Sequence, residues 1–121
     1  MPASPPDIVT HACELFAPLG TIRTKRMFGG WGFYVDELFF ALVARDTLYL
    51  KADSHSEAAF AAAGCERFTY ARDDGKTFAM GYWTAPEAAL ESPRAMAPWA
   101  RLAVDCALRQ RKPSRKKAIG V

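Results

Sequence analysis

The chain has 121 residues, half of them hydrophobic and 24% charged, with a formal net charge of +3. That length describes one domain, able to bury roughly two-thirds of its unfolded surface without metal or disulfide staples. No apolar run approaches the ~20 residues of a membrane span, and the N-terminal MPASPPDIVTHA lacks the basic start and apolar core of a secretory signal, so a cytoplasmic protein away from membranes is expected.

Ser4-Pro5-Pro6-Asp7 reads as a helix start: a capping serine, prolines where no amide donor is missed, and an acid in the first turn. Ile8, Ala12, Leu15, Phe16 and Leu19 then recur at helical spacing, and Pro18-Leu19-Gly20 ends the helix. From Thr21 the period becomes two. With Asp36-Glu37 as a two-residue turn, Val35 faces Leu38, Phe33 faces Phe40 and Tyr34 faces Phe39. Phe33, Val35, Leu38, Phe40 and Leu42 then share a core face, with Tyr34, Phe39 and Val43 on the other. Leu48 to Lys51 is a further strand, and keeping Leu48 and Leu50 on the core face asks for a three-residue loop, Arg45-Asp46-Thr47.

Ser54-His55-Ser56-Glu57 has the form of a capping box, and the helix it opens closes at Gly64. Arg67–Tyr70 and Thr77–Trp83 form a second hairpin turned at Asp73-Asp74-Gly75, with Phe78, Met80 and Tyr82 on one side of its last strand. Thr84-Ala85-Pro86-Glu87 caps a short helix. Ser92-Pro93 starts a longer one with Met96, Trp99, Ala103 and Cys106 as its buried stripe. The order α-β-β-β-α-β-β-α-α predicts an α+β fold in two layers, an antiparallel sheet of about five strands with helices on one face. Residues 1–108 make one domain, and 109–121 form a basic tail expected to be disordered after about Pro113.

The run Arg26–Val43 holds Gly29, Gly30 and Gly32 within four positions. A phosphate loop must deliver amides to the start of a following helix, but here Phe33-Tyr34-Val35, a turn and another strand follow. Neither GxGxxG nor GxxxxGK[ST] is present. Glycine within a strand marks a bulge, a bend or a close approach to the backbone, and this structural reading is favoured.

Catalytic groupings are equally sparse. His11 has no serine or cysteine at helical spacing, and His55 sits in the expected capping box. Cys13, Cys65 and Cys106 are odd in number and form no CxxC pair. They read as core residues, and no metal, cofactor or catalytic residue is assigned. Acid pairs such as Asp36-Glu37 fall in turns, where solvated polar residues are expected. A non-enzymatic protein is expected.

Met27-Phe28-Gly29-Gly30-Trp31-Gly32-Phe33-Tyr34 resembles the MFGG-aromatic-G signature of the TfoX/Sxy N-terminal domain family. The similarity continues through Phe39–Leu42, Leu48–Lys51, Gly64, Phe68–Tyr70, Met80–Trp83, Pro86-Glu87 and Trp99-Ala100. The resemblance covers about residues 8 to 108. It implies a two-layer α/β fold similar to type III secretion chaperones, with no cofactor or catalytic residue. It also implies a regulator of bacterial competence gene transcription that acts through protein contacts. The family's full-length regulators carry a second, C-terminal domain; here a short basic tail follows instead.

Two surfaces are candidates. Tyr34, Phe39, Val43, Tyr49 and Trp83 would share the sheet face away from the core, and four rings at ~150–250 Å² each reach the ~300–600 Å² of the largest patch on a typical monomer. Homodimerisation or docking of a protein partner is expected there unless the first or last helix covers them. The second candidate is the tail. Arg109, Arg111, Lys112, Arg115, Lys116 and Lys117 lie in its thirteen residues without an acid; removing those six from the sixteen basic residues leaves ten against thirteen acids, a body near −3. They could make nonspecific nucleic-acid contacts, with Arg23, Lys25 and Arg26 in support. The alternative is a solubilising tail.

Overall fold

Alternating apolar residues between tight turns build a six-stranded antiparallel sheet. The structure, a computed structural model, describes residues 7–27, 30–71 and 77–110. In chain order the elements are helix α1 (Asp7–Phe16), a 3-10 turn (Ala17–Leu19), and strands β1 (Ile22–Met27), β2 (Gly30–Val35), β3 (Leu38–Ala44) and β4 (Thr47–Lys51). Helix α2 (Glu57–Ala62), strands β5 (Arg67–Ala71) and β6 (Thr77–Thr84), a 3-10 helix (Glu87–Glu91) and helix α3 (Pro93–Gln110) complete the chain. The strand order across the sheet is β1-β2-β3-β4-β6-β5. The α+β class is as expected. The sheet has six strands rather than about five, because Ile22–Met27 pairs along β2 as a full strand.

The core forms where α1 and α3 cover one sheet face. Phe16 of α1 meets Phe33 and Phe40 edge-on, with ring centroids 5.5 and 4.8 Å away. Val9, Ala12 and Leu15 complete that helix's buried side, and Met96, Ala100, Ala103, Val104 and Ala107 supply that of α3. Trp99, expected within the stripe, is half-buried and packs on Phe60, the one buried residue of α2, 5.1 Å away. Each aromatic contact of this kind adds roughly 0.5–1.5 kcal/mol beyond the apolar area it buries.

One irregularity sets the parity of the whole sheet. Tyr34 pairs with Phe39 and Phe33 with Ala41, so Phe40 has no opposite number on β2. This is a β-bulge: Phe40 and Ala41 are both fully buried, and every residue beyond them changes face. Val43 therefore points into the core and Leu42 lies half-buried on the other side, the reverse of the expectation. With Val43 inward, Leu48 and Leu50 stay in the core across a two-residue turn, Arg45-Asp46, closed by the Ala44↔Thr47 pair. The expected three-residue loop is needed only on the unbulged parity.

Both two-residue turns use the left-handed region, at φ 50° and 66° for Asp36 and Glu37 and 53° and 58° for Arg45 and Asp46. That is the backbone twist two-residue hairpins select. The expected Ser54–Glu57 box does not form. The Asp53 amide donates to Ser56 Oγ (3.1 Å) and the His55 amide to Asp53 Oδ1 (3.0 Å), so Asp53 and Ser56 close the turn that leads into α2, whose N-cap, Ser56, makes no side-chain capping bond. At its other end Gly64, at φ 81°, donates its amide to Ala61 O while the Cys65 amide reaches Phe60 O, a Schellman closure. In α3 the Ala95 amide donates to Ser92 Oγ (3.1 Å), which confirms Ser92 as its cap. The Ser4-Pro5-Pro6 cap, the Asp73-Asp74-Gly75 turn and the side chains of Phe78 and Met80 lie outside the described residues.

Two stability changes follow. A Cβ added at Gly30 would overlap the Val43 carbonyl oxygen, so Gly30→Ala is expected to lower stability by at least ~2 kcal/mol in urea titration, because backbone cannot yield as a side chain can. Replacing Asp36-Glu37 with Asn-Gly should raise it by ~0.5–1 kcal/mol, since those residues tolerate the left-handed region better. An unchanged urea midpoint in either case contradicts the corresponding geometry.

Candidate functional site

The helices occupy one side of the sheet; the other side presents rings. Along the strand register, Arg23 and Lys25 of β1, Gly32 and Tyr34 of β2, Phe39 and Leu42 of β3, Tyr49 and Lys51 of β4, and Tyr82 of β6 point away from the helices. Phe68 of β5 joins them through Tyr49, at 4.7 Å between centroids. Tyr34 lies 5.1 Å from Phe39 and Phe39 6.0 Å from Tyr82. All five rings are half-buried and none belongs to the core cluster. Burial among these neighbours pushes the Tyr82 phenol up to about 12, so it stays a neutral donor.

Cations frame the rings. The Arg23 guanidinium sits 5.1 Å from the Tyr34 centroid and the Lys51 ammonium 5.6 Å from that of Phe39. Lys51 also donates to the Phe39 carbonyl (3.4 Å), and Arg23 donates to Glu37 Oε1 (2.6 Å). Such ring–cation contacts are worth ~0.5–1 kcal/mol when exposed and fix the stems of long side chains along the apolar patch.

The expected face thus keeps Tyr34, Phe39 and Tyr49 but loses two members. Val43 turns inward with the bulge. Trp83 pairs with Leu50 on the core side, stacks on Phe60 at 6.5 Å, and has its Nε1–H buried with no acceptor among the described residues. Tyr82 and Phe68 take their places. Their membership depends on β4 pairing with β6 rather than with β5, a non-local choice that no spacing along the chain encodes.

Of the glycine signature, Gly30 and Gly32 lie within β2, and Gly30 is the place where β3 backbone passes too close for a side chain. Met27 ends β1 opposite Gly30; Phe28 and Gly29 lie outside the described residues. The histidines and thiols have structural surroundings. His11 Nε2–H donates to the Leu90 carbonyl (2.7 Å), tying α1 to the 3-10 helix before α3. Burial pushes the Cys13 and Cys65 thiols up, and burial together with the Asp53 carboxylate pushes Cys106 up to about 11. These are shifts away from thiolate chemistry. Among the described residues no group of three His, Cys, Asp or Glu side chains could hold a metal ion.

Arg109, assigned to the basic tail, is instead the last turn of α3. Its Nε and Nη2 each donate to an Asp53 carboxylate oxygen at 2.8 Å, so its charge is already matched. Arg111, Lys112, Arg115, Lys116 and Lys117 lie outside the described residues. The paired guanidinium holds the Asp53 carboxyl well below the usual carboxylate range, against the opposing effect of burial and with help from the His55 amide. A depressed folded pKa gives stability that is present above the unfolded value near 4 and lost as pH falls below it. The Arg109 side chain is 37% exposed, so solvent screening takes away much of what the bidentate geometry offers. Asp53→Asn should lower the urea midpoint at pH 7 and flatten the loss of stability between about pH 5 and pH 2. Arg109→Gln should flatten it likewise. An acid limb as steep as the parent's in both variants would contradict the assignment.

The sequence that builds these two faces has known relatives. The family model described as the TfoX N-terminal domain matches residues 14–107. DNA transformation protein TfoX1 of Aliivibrio fischeri is 35% identical over 54 residues, which cover 45% of this chain and 26% of that protein. With the match running from within α1 to near the end of α3, this chain belongs to the TfoX N-terminal domain family.

Proposed function

We propose that this chain is a non-catalytic regulatory adaptor in a competence-related process, working through a protein partner that seats on the helix-free sheet face. The observation that carries the reading is the set of five half-buried rings on that face, Tyr34, Phe39, Tyr49, Phe68 and Tyr82, none of them enlisted by the core. Aromatic side chains offer large contact area at low cost in conformational freedom, and aromatics with arginine characterise the centres of protein interfaces. The relative's name, DNA transformation protein TfoX1, supports the process, and this chain matches 26% of that protein's length.

Several features speak for an adaptor over an enzyme. The thiols are shifted away from nucleophilic form, and His11 engages its ring N–H with a backbone carbonyl. The partner is more readily a different chain than a second copy. Arg23, Lys25 and Lys51 ring the face, and a two-fold pairing would bring like charges together.

The test is genetic and physical. Phe39→Ser with Tyr49→Ser removes two half-exposed rings and should lower stability by no more than about 1–2 kcal/mol. Disrupting the gene in its own host should reduce expression of DNA-uptake genes, and the folded double variant should fail to restore it. No effect of disruption defeats the competence reading; full restoration by the variant removes the face from the mechanism. A concentration-dependent dimer in sedimentation, abolished by the same changes, would replace the heterologous partner with a second copy.

A further inference from the structure

Away from the aromatic face, α1 and the 3-10 helix at Glu87–Glu91 stand apart over the β3–β4 turn, leaving a cavity of about 270 Å³. Its floor is apolar and aliphatic: Ile8, Ala12 and Leu15 of α1, Ala85 after β6, and Leu48 and Leu90, with no ring among them. The His11–Leu90 hydrogen bond spans the two helical elements next to it and holds their spacing. The volume is at the lower end of the ~300–1,000 Å³ typical of small-molecule sites.

The charged groups lining the cavity share one sign. Asp46 and Glu87 bring carboxylates, and neither has a hydrogen-bond or ion-pair partner among the described residues. His11 commits Nε2–H to the Leu90 carbonyl, and its Nδ1 lies 3.8 Å from Glu14 Oε1, a third carboxylate near the opening. No lysine or arginine lines the cavity among the described residues. The opening therefore offers acceptors and negative charge above an apolar floor, in a body that is itself mildly acidic.

We infer that this cavity binds a small organic cation: a compact aliphatic or aromatic body set between Ala12, Leu48, Ala85 and Leu90, carrying an ammonium or amidinium group held by Asp46 and Glu87. The apolar body gains by leaving water, and the charged head stays at the rim, where it keeps part of its hydration and two counter-charges. An anion of the same shape meets repulsion from both carboxylates. The site is distinct from the partner face, so it stands or falls independently of the adaptor reading.

The probes are 2-phenylethylamine and its acidic counterpart 3-phenylpropionate, titrated into the full chain and followed by amide chemical shifts. The amine should produce saturable shifts at residues 11–12, 46–48 and 85–90, and the acid should not. Asp46→Asn with Glu87→Gln changes only exposed side chains and should weaken the amine at least fivefold. Ala85→Phe should fill the floor and abolish the shifts while the remaining spectrum stays folded. Equal response to both probes, no saturable response to the amine, or an affinity unchanged by the double neutralisation would each overturn the inference.

Discussion

A single unpaired residue in β3 governs both faces of this molecule. Because Phe40 has no partner on β2, it and Ala41 can be buried in succession, and the strand leaves the bulge with its alternation inverted. Phe40 then reaches the edge of Phe16, Val43 joins Leu48 in the core, and Leu42 moves beside Tyr49 on the outer face. Without the extra residue, a sheet continuous with β2 would carry Val43 outward and Leu42 into the α3 contact. The bulge also adds local twist, which suits a six-stranded sheet wrapped beneath a long helix.

The helical layer is held to that sheet at its ends as well as through its apolar stripes. Asp53 follows β4, closes the turn before α2 and receives Arg109 from the end of α3, so one carboxylate joins three elements. Ser56, buried at 2% exposure, is satisfied by the same residue's amide and carboxylate. Next to this junction the Ala52 amide donates to the Gly81 carbonyl (2.9 Å), extending the β4–β6 pairing toward it. At the opposite end of the layer the His11–Leu90 contact does similar work with one hydrogen bond. When a carboxylate with several charged and backbone donors is removed, each of those donors is left without its acceptor. The combined penalty then exceeds what any one of the hydrogen bonds contributes by itself.

How much of this is legible in the chain depends on the range over which each feature is encoded. The α1 stripe, the Asp36-Glu37 turn and the Gly64 closure are local, and period and turn chemistry state them directly. The bulge is not legible in FFALV because every one of those side chains is apolar, so either parity buries an acceptable set. An Asp53–Ser56 turn replaces the expected Ser54–Glu57 box because Asp53, Ser54 and Ser56 offer acceptors in close succession, and Arg109, 56 residues away, engages Asp53. Trp83 lies on the opposite face from the one expected because its side follows from the β4–β6 pairing, a contact between segments more than 30 residues apart. The ring face is therefore legible as a concept through Tyr34, Phe39 and Tyr49, while its other half waits on topology.

The distribution of charge along the sheet guards its β1 edge. Edge strands invite other strands, and proteins blunt them with charges. Strand β1 is such an edge, and IRTKRM places Arg23, Lys25 and Arg26 among its six residues. The cations alternate with Thr24 across both sides of the strand, and Arg26 lies 5.8 Å from the Trp31 ring on the helix side. An incoming strand would have to desolvate or displace them whichever face it approached. Association by strand addition is thus disfavoured at β1, and Arg23 and Lys51 also sit over the Tyr34 and Phe39 rings, at 5.1 and 5.6 Å. The same run of basic residues that guards the edge also borders the ring face, because Arg23 and Lys25 point to that side of β1 while Arg26 points to the other.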